Sequence, residues 1–358
     1  MGRIDAPHEG GFPAVDAQSW DGDQPSDSSD AELRDSEVTD APTPDTGLCT
    51  STAETQILAC GLLGPRTLAL DPSWVYFSTQ GPKAGIKRLS RQGGSVTDVF
   101  AADPSILCWR EGHLYFIEGQ EVFSWDLGRG QRSTVATFEP GRVLGIGQGL
   151  AVSAAGLFWT ASEVGEVRGR LNGATNAIVL ARTSTHPTTM AASDLAVYWT
   201  DEWPEGGVWR LSLTSSSARA APLVLGQIAP RWIAVAGPWL FWTALACIPP
   251  SDCGSEIHRL NLATGRHDIV ESTAQGRPFG LAADDDHLYW LTRDALWRRT
   301  MSSSVSEPVV QGLVLNPTAD GGEYHGIEAA SDGVYLTDPQ AIIDVVQPTG
   351  RILRFSGR

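Results

Sequence analysis

The chain of 358 residues lacks any apolar run approaching the roughly 18 residues that a membrane-spanning helix needs. Its first ten residues have no apolar core, so we expect no secretory signal within them. Lysine occurs only at Lys83 and Lys87, and the formal net charge is −16. An acidic chain of this kind does not offer the basic face that nucleic acid needs. We therefore expect neither a transmembrane segment nor a nucleic-acid partner.

Motifs that would name a reaction are missing as well. The chain contains no Gly-x-Ser-x-Gly elbow and no His-Glu-x-x-His pair. Its five cysteines include no Cys-x-x-Cys, and no clustered histidines accompany them. The glycine-rich run Gly145–Gly149 resembles a phosphate loop only superficially, because no helix is expected after it. The sequence predicts no catalytic residue and no metal or cofactor, with calcium at aspartate-rich turns as the one alternative left open.

The first 50 residues are a poor candidate for a folded unit. Residues 1–47 carry 12 acidic residues and two arginines, and the stretch Asp21–Asp30 has no large apolar side chain. Such a segment cannot bury enough apolar surface to offset its chain entropy. It also lacks the glycine and the bidentate glutamate of an EF-hand loop. We predict a disordered acidic linker over residues 1–50 and a folded domain over residues 51–358.

A repeat of about 40 to 50 residues occupies the folded part of the chain. Each copy has an aromatic residue that opens a second strand, with spacings of 39, 43, 40, 43, 48 and 46 residues. The seven residues are Tyr76, Tyr115, Phe158, Tyr198, Phe241, Tyr289 and Tyr335. The position seven residues earlier is small in six copies and is Glu328 in the last. This spacing predicts a seven-bladed all-β propeller with four-stranded antiparallel blades and a narrow channel.

The two ends of the folded part predict how the ring closes. The segment Gln56–Cys60 resembles an outer strand with no blade before it, and Gly350–Phe355 resembles a third strand with no fourth. We expect the N-terminal strand to complete the last blade, because closure removes the exposed edges of an open ring. Deletion of residues 55–60 should then lower the melting temperature sharply.

The repeat resembles the YWTD-type propeller repeat of lipoprotein-receptor ectodomains and, more distantly, the NHL repeat. The match is fullest at Tyr198-Trp199-Thr200-Asp201 and covers about residues 55–358. The YWTD propellers have six blades, whereas seven copies occur here, and the aspartate is present in two copies only. The acidic tail, in turn, is similar to spacers that follow the anchor of bacterial surface lipoproteins. That resemblance implies an export signal upstream and an extracytoplasmic location, in the periplasm or on the cell surface.

The cysteines allow local cross-links. Cys247 and Cys253 flank a proline-containing loop, and a disulfide between them would favour an oxidising compartment. Cys49 and Cys60 could join the tail to the closing strand. Cys108 stands among the small residues of the inner strands, which favours a small buried hydrophobe.

Propeller ligands gather at the mouth of the channel, near the start of each inner strand. The residues expected there are Arg66, Ser105, Gln148, Thr188, Arg231, Phe279 and His325. The arginines could bind an anionic or polyhydroxylated group, or these side chains could simply cap the blade edges. Glu328, in the channel wall, needs a partner or water for its carboxyl group.

The function that this pattern favours is non-enzymatic binding by a monomeric scaffold. The partner would be a protein, a peptide or a glycan, recognised at the channel mouth or on a blade surface. One alternative is a propeller enzyme, either a lyase or a calcium-dependent lactonase-like hydrolase. Propeller lactonases hold their metal with inward Glu, Asn and Asp side chains, and the predicted mouth supplies none of these. A second alternative is a structural module of a surface assembly.

Overall fold

The computed structural model describes residue 51 and residues 55–81, 84–137, 149–183, 186–202, 206–215, 217–247, 254–273, 278–313, 326–339 and 350–356. The predicted acidic linker over residues 1–50 lies outside them. Within the described ranges the ordered elements are 28 strands and one short 3₁₀ turn at Ser162–Val164. No helix of these ranges is long and apolar enough to cross a membrane.

The strands form seven four-stranded antiparallel sheets, each running from an inner to an outer strand. Blade 1 comprises β2 (Leu68–Leu70), β3 (Trp74–Thr79), β4 (Gly85–Ser90) and β5 (Thr97–Phe100). Blade 2 comprises β6 (Ile106–Arg110), β7 (His113–Glu118), β8 (Glu121–Asp126) and β9 (Gln131–Thr137). Blade 3 comprises β10 (Leu150–Ser153), β11 (Gly156–Ala161), β12 (Glu166–Leu171) and β13 (Ile178–Arg182). Blades 4 and 5 comprise β14 (Pro187–Ala192), β15 (Ala196–Asp201), β16 (Gly207–Ser212) and β17 (Ala221–Leu225); and β18 (Ile228–Ala236), β19 (Trp239–Leu245), β20 (Ser255–Asn261) and β21 (His267–Thr273). Blade 6 comprises β22 (Leu281–Ala283), β23 (His287–Leu291), β24 (Ala295–Thr300) and β25 (Ser306–Gln311).

Blade 7 contains both ends of the folded chain. Its strands are β26 (Ile327–Ala330), β27 (Gly333–Asp338), β28 (Gly350–Phe355) and β1 (Thr55–Leu62), in that order. The ladder between β1 and β28 runs antiparallel from the pair Thr55 and Phe355 to the pair Leu62 and Gly350. The predicted seven-bladed propeller and its closure by the N-terminal strand are therefore confirmed.

The aromatic residues of the repeat fill the wedges between blades. Trp159, Trp199, Trp242 and Trp290 are fully buried. Trp242 of blade 5 packs in one cluster with Tyr198 of blade 4, and the same arrangement recurs around the ring. Large rings at this position supply apolar area where two twisted sheets diverge, which explains why the repeat places them there.

The turn aspartates of the repeat hold its tyrosines. The Asp71 carboxylate accepts hydrogen bonds from the backbone N–H groups of Ser73 and Trp74 at 2.6 Å and from the Tyr76 hydroxyl at 2.8 Å. Burial, together with Asp71, raises the pKa of Tyr76 to about 12. The Tyr335 hydroxyl donates in the same way to Asp332 at 2.8 Å. These aspartates therefore act as turn residues, as is usual for aspartate.

Arg91 fastens the first blade to the last. Its Nε donates to the Tyr335 hydroxyl at 3.0 Å and its Nη1 to the backbone carbonyl of Asp71 at 3.1 Å. Its Nη2 forms an ion pair with Asp332, and its side chain is only 12% exposed. One guanidinium thus joins the turn at Asp71 to the turn at Asp332, which lies 241 residues after Arg91 in the sequence.

Replacing Arg91 by methionine is expected to lower the free energy of unfolding by about 2 kcal/mol. The Asp332 carboxylate, which is 33% exposed, loses one of its two arginine partners, and the Tyr335 hydroxyl loses a charged donor. Urea unfolding monitored by tryptophan fluorescence would measure the loss. The control is Arg129→Met, because Arg129 is 78% exposed and lies 3.8 Å from Asp126. Equal effects of the two substitutions would contradict the role given to Arg91.

Candidate functional site in the axial channel

The residues expected at the entry of the inner strands are used mainly within the protein. Thr188 is buried, and its hydroxyl lies 2.8 Å from the Thr200 hydroxyl. Phe279 is buried in the core shared by blades 6 and 7. Neither side chain is available to a ligand at this mouth. Gln148 and His325 lie outside the described residues.

The charged and hydroxyl members of the predicted set are half-buried. The Arg231 guanidinium contacts the Glu202 carboxylate, with Nη2 at 2.7 Å and Nε at 3.0 Å from Oε1. The Ser105 hydroxyl donates to the carbonyl of Ile117 at 3.3 Å. Arg66 is half-buried, and its carbonyl accepts a bond from the Thr337 hydroxyl of the last blade at 2.9 Å. Arg66, Ser105 and Arg231 thus make contacts within the protein, and a ligand-binding role for the predicted set stays a prediction.

A cavity of about 290 Å³ lies between the inner strands. We call it the inner cavity. Its wall combines small and aliphatic side chains from six blades, including Ala191, Ala234 and Ala282, with the indole of Trp232. Trp232 occupies a bulge of β18 and has a left-handed backbone at φ 37°. Among the described residues that line this cavity, Glu328 is the one charged group.

A wider cavity of about 750 Å³ adjoins the first at the other end of the channel. We call this end the turn mouth, because Asp71 and Asp332 from the turns between first and second strands line it. Arg91, Trp109 and Glu328 also line it, and Glu328 belongs to the walls of both cavities. A volume of this size lies in the range of known ligand pockets.

The pKa of the Glu328 carboxyl group is raised by the position of this side chain in the cavity wall. Burial raises its pKa to about 7. The neighbouring Cys108 is the free cysteine of the described residues, and the pKa of its thiol is raised by burial and then by the charge of Glu328. No cationic side chain among the described residues forms an ion pair with Glu328. A perturbed carboxyl in a cavity marks a candidate functional site.

One residue of the sequence marks the turn mouth, because it is much larger than its equivalents in the other copies of the repeat. The position six residues before each reference aromatic is Leu70, Val152, Ala192, Val235, Ala283 or Ala329 in six blades. In blade 2 it is Trp109, which is far larger than the others. Because this position lines the channel, the outlier places an aromatic ring beside the cavity that contains Glu328.

The described residues contain no group of three or more histidine, cysteine, aspartate or glutamate side chains that could hold a metal ion. Cys60 and Cys247 are disulfide-bonded. Their predicted partners, Cys49 and Cys253, lie outside the part of the chain that the structure describes, so both pairings stay predictions.

A histidine pair lies away from the channel, in blade 5, with His258 buried and His267 exposed. His258 Nδ1 lies 3.0 Å from His267 Nε2, and both rings stack on Trp242. Glu256 lies 3.3 Å from His258 Nε2, and Asp268 is adjacent to His267 in β21. Burial, followed by the neighbouring His267, lowers the pKa of His258 to about 4, and burial also lowers the pKa of His267.

This pair should make the fold sensitive to acid. Unfolded His258 takes up a proton near its ordinary pKa of 6.5, whereas the folded residue stays neutral down to about pH 4. Its contribution to stability is therefore complete above pH 6.5 and is lost as the pH falls to 4, by about 3 kcal/mol. Urea unfolding between pH 7.5 and 4.5 should show this slope in the wild type and a flatter one in His258→Gln. His113→Gln, at a 40% exposed side chain, should retain the slope, and equal slopes in all three proteins would contradict the assignment.

Solved structures match the fold of this chain, but no comparison assigns the chain to a family. No family model matches the chain, and no curated protein matches it at a significant level. A solved oligogalacturonate lyase in complex with manganese aligns with 86% of this chain and 95% of its own, at a TM-score of 0.60 and 11% identity. A chain of the mitotic checkpoint complex aligns with 90% of this chain and 98% of its own, at a TM-score of 0.59 and 15% identity.

A chain of the nidogen/laminin complex matches 63% of this chain and 85% of its own with 17% identity, but its TM-score of 0.47 is too low to carry an argument. At these identities the comparisons show a common β-propeller fold alone. The matches with TM-scores of 0.60 and 0.59 are an enzyme and a chain of a protein assembly, and this likeness does not distinguish catalysis from binding. The chain is thus similar in fold to solved proteins of differing function.

Proposed function

We propose that this protein is a non-enzymatic binding propeller that recognises a protein, peptide or glycan at the turn mouth of its channel. The proposal rests on the cavity of about 750 Å³ that joins the inner channel at Glu328. The cavity combines an apolar wall with a few convergent polar groups, which is the usual composition of a ligand pocket. The entry mouth is a weaker candidate, because Thr188 and Phe279 are buried there.

The setting of the domain would be extracytoplasmic. The acidic segment over residues 1–50 would act as a tether between an anchor and the propeller, and the domain would work as a monomer. The disulfide-bonded state of Cys60 and Cys247 supports an oxidising compartment. Recovery of an upstream in-frame apolar segment with a lipid-accepting cysteine would support this setting, and its absence would count against it.

A substitution that fills the channel with a large side chain tests the proposed site. Wild-type protein would be used to select binders from a displayed peptide library and from a glycan array, and each binder would be measured against Ala329→Trp. Ala329 lines both cavities, so the added indole should weaken binding at least tenfold. Ala221→Trp on the exposed outer strand β17 is the control and should change affinity less than twofold. Binders that ignore both substitutions would place recognition elsewhere on the molecule.

The rival function is a propeller enzyme, and one observation favours it. A carboxyl group with a pKa of about 7 is suited to general acid–base chemistry near neutral pH. A lyase or a calcium-dependent hydrolase would also need a bound metal. Addition of calcium or manganese should leave the melting temperature of a binding propeller nearly unchanged. A large rise would favour the enzyme over the binding function.

A further inference from the structure

The charges at the turn mouth favour a cation. Three carboxylates, from Asp71, Asp332 and Glu328, line the wider cavity together with one guanidinium, that of Arg91. The Arg91 charge is already engaged by Asp332. Arg354 also contacts Asp332, at 3.3 Å, and the three carboxylates still outnumber these two guanidinium groups. Residues 48–358 carry 30 acidic and 24 basic side chains, a balance of the same sign. Clefts lined by one sign of charge concentrate ligands of the opposite sign.

Glu328 is positioned to contact such a ligand. It stands where the other blades have alanine or cysteine, and it belongs to the walls of both cavities. No cationic side chain of the described chain neutralises it. Glu328 is half-buried in the cavity wall. A desolvated carboxylate with no cation among the described residues carries a cost in stability, and a ligand that supplies the positive charge would remove that cost.

The surrounding wall selects the shape of the ligand. Trp109 lines the turn mouth, and indole is the strongest of the aromatic rings in attracting a cation. Beyond Glu328, the inner cavity of about 290 Å³ has aliphatic walls and a second indole, that of Trp232. A ligand group with a positive charge and an apolar stem would fit these walls, with its charge near Glu328 and Trp109 and its stem against the aliphatic side chains. Lysine and arginine side chains have this composition.

We propose that the turn mouth binds one lysine or arginine side chain of a peptide or protein partner, with its charge between the Glu328 carboxylate and the Trp109 ring. This inference rests on the proposed function, whose ligand class it narrows. The apolar stem of the inserted side chain lies against the small and aliphatic residues of the inner strands. A neutral glycan does not supply the charge that this site lacks.

Calorimetry with two matched probes tests the inference. The probes are Nα-acetyl-lysine methylamide and its norleucine equivalent, which differ by the presence of the cation. At pH 8 the lysine probe should bind wild-type protein at least tenfold more tightly than the norleucine probe. It should bind Glu328→Gln at least tenfold more weakly than wild type. Glu163→Gln, which makes the same change at an exposed glutamate, should bind as wild type does.

The ring contribution is tested separately. Trp109→Leu should weaken binding of the lysine probe several-fold, and Trp109→Phe should weaken it less, because phenylalanine retains an aromatic face. A melting curve of each variant establishes that it folds. If Trp109→Leu does not fold, the phenylalanine variant and Glu328→Gln still decide the question.

The outcomes separate this inference from the proposed function. Equal binding of the two probes, equal binding to wild type and Glu328→Gln, or no binding of the lysine probe to wild type would overturn the cation site. If selected binders are still blocked by Ala329→Trp in that case, binding at the turn mouth stands and only the ligand class is wrong. If selected binders ignore Ala329→Trp, the proposed site itself fails.

Discussion

Removal of the chain up to residue 60 is expected to lower the free energy of unfolding by about 5 kcal/mol or more. This truncation takes away most of β1, the strand that completes blade 7. Leu58 would no longer pack with Phe77 and Tyr335, a loss of about 1.5–3 kcal/mol for one buried leucine. Most of the ladder bonds between β1 and β28 would also be lost, each contributing about 1 kcal/mol. Urea unfolding and differential scanning calorimetry would measure the change.

Two further proteins make that test specific. Truncation up to residue 45 retains β1 and Cys49, and it should leave the midpoint within about a degree of the full-length value, as expected for removal of a segment without a packed core. Leu58→Asp in the full-length chain keeps every cysteine but buries a charge at the closing strand, and it should destabilise the propeller by several kcal/mol, of the order of a buried unpaired charge. A truncation up to residue 60 that unfolds at the wild-type midpoint would contradict closure by β1.

Glu328→Gln is expected to stabilise the protein at pH 8 by about 3 kcal/mol and to have little effect at pH 4.5. The folded carboxyl holds its proton up to about pH 7, whereas the unfolded chain loses it near 4.5. The wild-type free energy of unfolding is therefore undiminished below pH 4.5 and falls as the pH rises to about 7. Glutamine keeps the shape of the side chain without this titration. Urea unfolding of both proteins from pH 4.5 to 8 would measure the difference.

Four titratable or charged side chains line the cavity together with Glu328. Cys108 from β6, Asp71 and Arg91 from blade 1, and Asp332 from its own blade line the same cavity. Because both proteins share these groups and the blade 5 histidines, their titrations cancel in the difference between variant and wild type. A Glu328→Gln protein that is less stable than wild type at pH 8 would show that Glu328 is ionised and paired in the folded state. Stabilisation would mean that the carboxyl is retained at a cost, as is typical of a functional residue.

The same titration predicts how binding depends on pH. A bound cation favours the ionised carboxylate, so affinity for the lysine probe should rise as the pH increases from 6 to 8 and then level off. The cause is the proton that Glu328 holds in the free protein below about pH 7. Calorimetry in buffers of different ionisation enthalpy should detect proton release on binding below pH 7. An affinity independent of pH would argue against contact between the ligand charge and Glu328.

The repeat made the architecture predictable from the sequence, because seven copies expose the same structural demands seven times. A small residue in the inner strand and a large ring in the second strand recur with the spacing of a blade, and Trp242 and Ala191 lie in the predicted wedge and wall. The closing strand was predictable because Gln56–Cys60 had no blade before it. Both features depend on the spacing and size of residues in the repeat and not on the direction of an individual side chain.

The site was less predictable, because it depends on side-chain direction at the ends of strands. At Arg66, Ser105 and Phe279 the residue after the entry position already donates its backbone N–H to the second strand, as Phe279 does to the Leu291 carbonyl at 3.1 Å. Pairing continues the alternation of the strand and directs Phe279 into the core rather than to the mouth. Glu328 was recognisable, since it departs from the small residues of its position. Trp109 was equally irregular, but its position became informative only once the channel wall was visible.

A crystal structure of the propeller with a peptide selected by the displayed library is the most direct measurement of the central claim. The account predicts electron density for one basic side chain inside the turn mouth, with its nitrogen within about 3 Å of the Glu328 carboxylate and over the face of Trp109, as direct hydrogen bonding and cation–π contact require. A peptide bound along an outer strand or at the entry mouth, with the channel free of it, would contradict the account.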